Sequence, residues 1–325
     1  MNLDIVVPFY NEEDCASDFI KHLISTFEKI NGIILSCYFV DDGSEDRTPE
    51  ILDKFSLSDK RINIIHLWGN HGHQRALIAG LDKCGGDAVL TMDGDGQHPV
   101  NVAICLIQKL LAHPEIAIIQ GIRSKGQRWS IKDWMSSTFY IIMNYLCPKS
   151  SIERGASDFR IIRKSVLELL KCYPDRHRNL RILISQLNLP TICVEYKPLV
   201  RLGGKSKFTW RKMIQLATDG IFAFSSLPLR LGLLLMTISG TLGLTYASYS
   251  LIRYFQNRVF PGWTSIIALT SILFSAVFAV LAIQAEYIKR IYEDVRKHPI
   301  YAIRPPILKD TSENIAKEEK THFNE

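Results

Sequence analysis

The chain has 325 residues, a net charge of +6 and 47% hydrophobic residues. That length exceeds what a single core usually fills, so an α/β-sized domain should be accompanied by something more. The basic residues gather beside two late charge-free stretches rather than in a stripe interleaved with aromatics, which excludes a groove-binding nucleic-acid protein and favours attraction to an anionic membrane surface.

The N-terminus, "MNLDIVVPFYNEED", has no basic leader and carries acids where a signal peptide needs apolar residues, so the first domain is expected to stay in the cytoplasm. The seven cysteines include no C-x-x-C pair, which fits reduced thiols and argues against zinc. From Leu3 to Gly121, short β-branched runs alternate with helical patterns. "LDIVVP" precedes a helix over Asp14–Ile30, "ILSCYFV" one over Thr48–Leu57, and "INIIHL" one over His73–Cys84. "AVLTM" precedes Val100–His113, and "IAIIQ" follows it. This rhythm predicts a mostly parallel sheet with helices on both faces, whose ligands bind beyond the carboxyl ends of the strands.

Those ends carry the unusual residues: Pro8-Phe9-Tyr10-Asn11-Glu12, Asp41-Asp42-Gly43-Ser44, Gly69-Asn70-His71-Gly72 and Asp93-Gly94-Asp95. Two carboxylates around a glycine, at the end of a buried strand, can reach one ion. Hard cations such as Mg²⁺ or Mn²⁺ take oxygen ligands and keep positions open for phosphates. Asp93 and Asp95 are therefore candidate metal ligands, with Gln97 as a neutral oxygen donor and Pro99 starting the next helix. A D-x-D triplet alone is also common in solvated loops. Asp42 could accept hydrogen bonds from a nucleobase imide or ribose hydroxyls, and Ser44 or Asp46 could cap the helix beginning at Thr48. His71 and His73 form an H-x-H that suits a hydrogen-bonding pair better than a metal site, because no third ligand accompanies it.

Beyond Gly121 the pattern loosens. Ile131–Cys147 and Thr209–Ser226 are apolar and aromatic over much of their surface, as interfacial helices are, although core packing suits the first nearly as well. Leu231–Ile252 and Trp263–Ala285 are each long enough, at about 1.5 Å per residue, to cross a hydrocarbon core of about 30 Å. The hinge Arg253–Gly262 makes them a membrane hairpin. Lys205, Lys207, Arg211, Lys212 and Arg230 before it, and Lys289, Arg290, Arg296 and Lys297 after it, place both termini inside. The expected organisation is a cytoplasmic domain over 1–208, a juxtamembrane amphipathic helix over 209–230, spans at 231–252 and 263–285, and a cytoplasmic helix with a disordered tail over 286–325.

"VVPFYNEE", "FVDDGSEDRT", "MDGDGQHP", "GASDFRIIRKSV" and "RLGGKSKF", followed by two spans and "EYIKRIYEDVRKHPIY", resemble the family 2 inverting glycosyltransferases of GT-A fold. The resemblance is strongest to their polyprenyl-phosphate branch, which includes bactoprenol glucosyltransferases and dolichyl-phosphate mannose synthases. It implies a nucleotide-sugar donor near Pro8, Tyr10, Glu12 and Asp42, with Asp93, Asp95 and Gln97 holding the metal on its diphosphate. Asp158 matches the acidic residue at the reaction centre. Arg123, Arg128, Arg201, Ser206 and Lys207 match the positions that meet the acceptor phosphate or the diphosphate. The implied partners are a nucleotide sugar, a polyprenyl phosphate and membrane lipid, at a bacterial plasma membrane, with a homo-oligomer as an option.

Two departures bear on the sugar. "NHGHQ" and "DGDGQHP" stand where bactoprenol glucosyltransferases often read "NFGKE" and "DADLQDP", so that His73 replaces a lysine and His98 an acid. UDP-glucose is the first expectation for the donor, ahead of other hexoses, N-acetylhexosamines and a modified arabinose. Asp158 could also pair structurally with Arg160 or Arg163. The rival readings are a processive polysaccharide synthase, for which Gln127-Arg128-Trp129 has the wrong spacing, and a tethered nucleotide-sugar-binding protein without turnover.

Overall fold

A computed structural model describes residues 1–30, 32–124, 156–172, 180–199, 227–256, 262–296 and 299–305. The strands are β1 (Asn2–Phe9), β2 (Ile34–Asp41), β3 (Ile62–His66), β4 (Ala88–Thr91), β5 (Ile118–Arg123), β6 (Ala156–Arg163) and β7 (Thr191–Tyr196). They form one sheet in the order β3-β2-β1-β4-β6-β5-β7. Only β6 runs against its neighbours β4 and β5; every other pairing is parallel. The helices are α1 (Ala16–Phe27), α2 (Thr48–Ser58), α3 (His73–Lys83), α4 (Val100–Ala112), α5 (Lys164–Cys172), α6 (Leu180–Gln186), α7 (Leu227–Phe255) and α8 (Trp263–Val295).

Strand β1 is buried from Leu3 to Phe9, as the centre of a parallel sheet covered on both faces must be. Leu3, Ile5, Val7 and Phe9 pack with Phe19, Ile20 and Leu23 of α1 and with Leu106 and Leu110 of α4. On the opposite face, Val6 packs with Leu77 and Leu81 of α3 and with Val166 and Leu170 of α5. Asp4, on that buried strand, accepts the backbone N–H groups of Gly85 and Gly86 at 2.8 Å each, which compensates its desolvation.

The antiparallel β6 is the element that sequence reading leaves as a bare motif. It carries the buried charges Asp158 and Arg160, an unusual composition for a central strand. Its register with β4 pairs Thr91 with Arg160, which sets Asp158 beside the residues that follow β4. A register shift in β5 between Gln120 and Ile122 is filled by the Gln120 amide, which donates to the carbonyls of Gly121, Ser157 and Phe159 at 2.8–3.2 Å.

Helices α7 and α8 contain apolar stretches of 26 residues (Pro228–Arg253) and 21 residues (Leu269–Lys289), each long enough to cross a membrane. They lie antiparallel, with Gly232 facing Val280 and Ile283, and Gly243 facing Leu273. The boundary expected at Ala285 falls inside α8, which runs unbroken to Val295. After it the chain returns to the edge of the sheet. Leu67 and Ile303 form an antiparallel bridge, Trp68 N–H donates to Ala302 O at 2.9 Å, and Arg304 N–H donates to His66 O at 2.7 Å. The Tyr301 hydroxyl donates to Asp82 at 2.8 Å, and the Arg304 guanidinium lies 5.5 Å over the Trp68 ring. The predicted helices over Ile131–Cys147 and Thr209–Ser226, and the tail after Leu308, lie outside the described residues.

Candidate active site

Three loops at the carboxyl ends of β1, β2 and β3 are joined by side chains capping backbone groups. Asn11, with φ of 53°, donates its N–H to Ser44 Oγ at 3.0 Å and accepts Glu45 N–H at 2.8 Å through its side-chain oxygen. Glu12 N–H donates to Thr48 Oγ1 at 2.9 Å, and Glu13 N–H to Asp46 Oδ2 at 3.2 Å. Gly43, at φ +68°, sits so close to Gly69 that an added Cβ would fall 2.4 Å from its carbonyl carbon. The two Asp42 oxygens accept the N–H groups of His71 and Gly72 at 2.7 and 2.9 Å. Burial nevertheless lifts the Asp42 carboxyl above its ordinary range. Pro8, Tyr10, Glu12 and Asp42 thus stand on one braced rim, with Pro8 and Asp42 buried and Tyr10 and Glu12 half-buried.

The D-x-D turn lies against this rim. A Cβ on Gly94 would meet Phe9 Cε1 at 2.6 Å, so only glycine lets the turn approach β1 this closely. Asp95 Oδ1 accepts Gln97 N–H at 3.0 Å, and the Gln97 carbonyl accepts Leu199 N–H at 3.0 Å. His98 is fully buried, stacked on Phe159 at 4.7 Å with the Tyr196 ring edge-on at 5.7 Å. Its Nδ1 accepts the N–H of Asp93 at 2.9 Å, so the ring proton is on Nε2. Burial holds this imidazole below its ordinary pKa against the opposing pull of Asp93.

Asp93 faces two imidazoles and a guanidinium. Its Oδ1 lies 3.3 Å from His73 Nε2, and its Oδ2 lies 3.6 Å from His98 Nε2 and 3.9 Å from an Arg123 nitrogen. None of these contacts is aligned as a hydrogen bond to Oδ1, which is buried without one. A buried carboxylate oxygen in that position fits a divalent cation. Among the described residues no three His, Cys, Asp or Glu side chains converge as a complete metal cage. The donor set suits an ion that shares its coordination with a phosphorylated substrate.

Asp158, 1% exposed, is the most heavily engaged acid of the site. Its carboxylate receives Arg160 at 3.0 Å, Arg181 through Nε and Nη2 at 2.7–3.1 Å, Gln74 Nε2 at 2.8 Å and His73 Nε2 at 3.2 Å. Burial alone would raise its pKa. Arg181, His73 and Arg160 outweigh that and hold the carboxyl well below its ordinary value. Burial lowers Arg160 to about 10, which still leaves it charged at neutral pH. His73 is pushed down by burial and lifted further by Asp93 and Asp158, ending above its ordinary value.

The structure therefore gathers Pro8, Tyr10, Glu12, Asp42, Asp93, Asp95, Gln97, Arg123 and Asp158 around one end of the sheet. Arg128, Arg201, Ser206 and Lys207 lie outside the described residues. The expected pairing of Asp158 with Arg160 is present. Arg163 instead donates to the carbonyls of Leu110, His113 and Ile116 at 2.6–3.0 Å. Gln74 and Arg181 escape sequence reading, since one opens a helix and the other ends the basic run "RHRNLR" without a motif around it.

A mostly parallel sheet whose strand-end loops are braced against a D-x-D turn is the arrangement of the GT-A glycosyltransferase fold. Residues 4–170 match the model of glycosyl transferase family 2, and the chain belongs to that family. It is 32% identical to YkcC of Bacillus subtilis (strain 168), an uncharacterized glycosyltransferase, over 92% of this chain and 92% of that protein. It is 33% identical to the SfII prophage-derived bactoprenol glucosyl transferase of Shigella flexneri, over 94% of this chain and 98% of the relative. In fold it is similar to glucosyl-3-phosphoglycerate synthase from Mycobacterium tuberculosis in complex with Mn²⁺, UDP and glucosyl-3-phosphoglycerate. The TM-score is 0.50 at 17% identity, over 68% of this chain and 77% of that one.

Proposed function

We propose that this glycosyltransferase moves a sugar from a nucleotide diphosphate donor, UDP-glucose first, to a polyprenyl phosphate at the cytoplasmic face of a bacterial plasma membrane. The observation that carries the reading is the Asp93 carboxylate with a buried oxygen lacking a hydrogen bond, set beside Asp158 and its arginines in a chain with a membrane-length helical pair. Similarity to a bactoprenol glucosyl transferase over nearly the whole chain supports the lipid acceptor. The Mn²⁺ and UDP held by the M. tuberculosis synthase agree with the donor chemistry.

Residues 1–208 form the catalytic domain in this reading. Residues 209–230 lie along the membrane surface, and 231–252 and 263–285 cross the membrane. The contact of Ile303 with Leu67 supports this topology, because residues on both sides of the hairpin then share one compartment. Residues 286–325 accordingly follow on the cytoplasmic side.

Pro8, Tyr10, Glu12 and Asp42 form the donor rim, where nucleoside recognition falls. Asp93 and Asp95, with Gln97, hold Mg²⁺ or Mn²⁺, which when bound neutralises charge on the donor diphosphate. Arg123, beside Asp93, meets the charge that grows on the departing diphosphate. Arg128, Arg201, Ser206 and Lys207 receive the acceptor phosphate. A phosphate monoester is ionised at neutral pH and needs positioning rather than deprotonation. Asp158, saturated by donors and held ionised, orients its cationic neighbours and is not asked to take a proton. Attack opposite the leaving group inverts the anomeric centre, giving a β-linked product from an α-linked donor.

The test is incubation of the full-length protein with undecaprenyl phosphate, a panel of nucleotide sugars and Mg²⁺ or Mn²⁺, read by mass spectrometry of the lipid fraction. One donor should give a lipid-phosphate sugar, abolished by EDTA and by Asp93→Ala/Asp95→Ala in folded protein. Formation of product without divalent ions, or an α-linked product, overturns the mechanism. Sugar polymer in place of a single transfer would favour the processive synthase.

A further inference from the structure

We propose that residues 301–304, which follow the long helix α8, position the donor rim by fixing the loop over 69–72, whose backbone holds Asp42. The inference rests on the glycosyl-transfer reading and adds to it positioning residues that lie beyond the apolar helix pair. Strand β3 ends at His66, and its pairing with β2 is carried on by Leu67, whose N–H donates to the Asp41 carbonyl at 2.9 Å. The returning chain takes the outer side of the same stretch. Arg304 N–H donates to the His66 carbonyl at 2.7 Å and Trp68 N–H to the Ala302 carbonyl at 2.9 Å, on either side of the Leu67–Ile303 bridge. Two backbone hydrogen bonds thus hold the chain as far as the residue before Gly69.

From Gly69 onward the loop lies backbone to backbone against the turn after β2. A Cβ on Gly43 would fall 2.4 Å from the Gly69 carbonyl carbon and 2.8 Å from the Asn70 nitrogen, and Asp42 takes the N–H groups of His71 and Gly72 at 2.7 and 2.9 Å. The loop's other end is α3, which starts at His73. The Tyr301 hydroxyl donates to Asp82 of that helix at 2.8 Å, and the Tyr301 ring packs against the core around Leu77 and Leu81. The returning chain therefore clamps both elements that carry the loop, β3 before it and α3 after it. A carboxylate held by two backbone N–H groups keeps its place only as well as the loop that bears them. With the loop already ordered, that ordering cost does not fall on donor binding. Loosening either clamp should therefore let Asp42 drift from Pro8, Tyr10 and Glu12 and weaken the donor, not the acceptor.

The experiment is steady-state transfer by full-length protein in nanodiscs, with undecaprenyl phosphate and the nucleotide sugar that wild type uses varied separately. Wild type, Arg304→Pro, Arg304→Ala and Tyr301→Phe are compared well below their melting temperatures, which are measured for each. Arg304→Pro removes the N–H bonded to His66 together with the guanidinium, whereas Arg304→Ala removes the guanidinium and keeps the N–H. Arg304→Pro should raise the donor KM about two- to tenfold, as loss of one hydrogen bond does, with acceptor KM and kcat unchanged. Arg304→Ala should recover most of that loss, and Tyr301→Phe should raise the same donor KM. If Arg304→Ala is as impaired as Arg304→Pro, the guanidinium itself meets the donor and the proposal is overturned. A fall in melting temperature with the donor KM unchanged overturns it too, as does an equal rise in both KM values. If Arg304→Pro does not fold, Tyr301→Phe decides by the same criterion. A wild-type protein that transfers no sugar sinks the reading of function itself, whereas normal transfer with indifferent variants sinks only this inference.

Discussion

The buried His98 ring holds the backbone of Asp93. The backbone N–H of Asp93 donates to Nδ1 of the buried imidazole at 2.9 Å, and the ring's Nε2 faces the Asp93 carboxylate at 3.6 Å. Phe159 stacked on the ring at 4.7 Å leaves it no room to turn. The imidazole therefore sets the backbone of the first aspartate in the turn, from which its carboxylate projects.

It follows that His98→Ala should weaken Mn²⁺ binding about ten- to hundredfold, the usual cost of removing a residue that orients a metal ligand. Mn²⁺ titration followed by electron paramagnetic resonance, with UDP present, checks this without reference to turnover. His98→Gln, which keeps an acceptor for the Asp93 N–H, should recover part of the affinity. Equal affinity in all three proteins would show that His98 only fills space.

Gly94→Ala should separate geometry from stability. The new methyl would lie 2.6 Å from Phe9 Cε1 and 3.0 Å from the Pro8 carbonyl oxygen, so the turn must move off β1. Overpacking of this kind costs about 1–3 kcal/mol. Chemical denaturation should show that loss, and transfer activity should fall further than the folded fraction does, because both carboxylates move with the turn.

His66 bridges Asp41 at 3.0 Å and Asp53 at 3.1 Å. The Asp41 hydrogen bond lifts its pKa above the ordinary 6.5 against burial, with Asp53 adding to the lift. A raised imidazole stabilises the fold fully below pH 6.5, and that contribution disappears as pH rises through the folded-state pKa. The melting-temperature gap between wild type and His66→Gln should therefore be widest near pH 6 and narrow above neutrality. A gap independent of pH would mean that His66 does not titrate with folding.

The segment after α8 should protect β3. Trp68→Ala removes the ring under Arg304, and Ile303→Asp disrupts the bridge to Leu67. Either change should speed amide hydrogen exchange in Ile62–His66 more than in β1, with exchange read peptide by peptide. Unaltered exchange at β3 would show that the segment rests on the edge without stabilising it.

The parallel half of the fold was legible because its strands are apolar runs closed by polar loops. The expected Thr48–Leu57 and Val100–His113 became α2 and α4 within one residue at each end. Strand β6 was not legible as a strand: Asp158 and Arg160 on a central strand mimic loop chemistry, and only tertiary pairing with Arg181, Gln74 and His73 neutralises them. The same cause hid part of the site. Asp93, Asp95 and Asp42 were visible as carboxylates at strand ends, whereas Arg181 gains meaning from a partner 23 residues away. For His98, sequence showed a departure from relatives but gave no sign that its ring lies inside the core. The return of Ile303 to Leu67 spans the whole pair of long apolar helices α7 and α8, a distance over which local pattern carries no information.

With Ile303 bridged to Leu67, the protein's own distal chain is tied to the end of edge strand β3. The opposite flank is β7, where Thr191, Cys193 and Glu195 are exposed in alternation and Pro190 precedes the strand. Among the described residues, a second subunit adding a strand at β7 would meet a proline and a carboxylate that discourage strand addition. Strand addition at β7 is therefore disfavoured, and the end of β3 is bound within the chain, so the sheet's own geometry works against edge-to-edge growth.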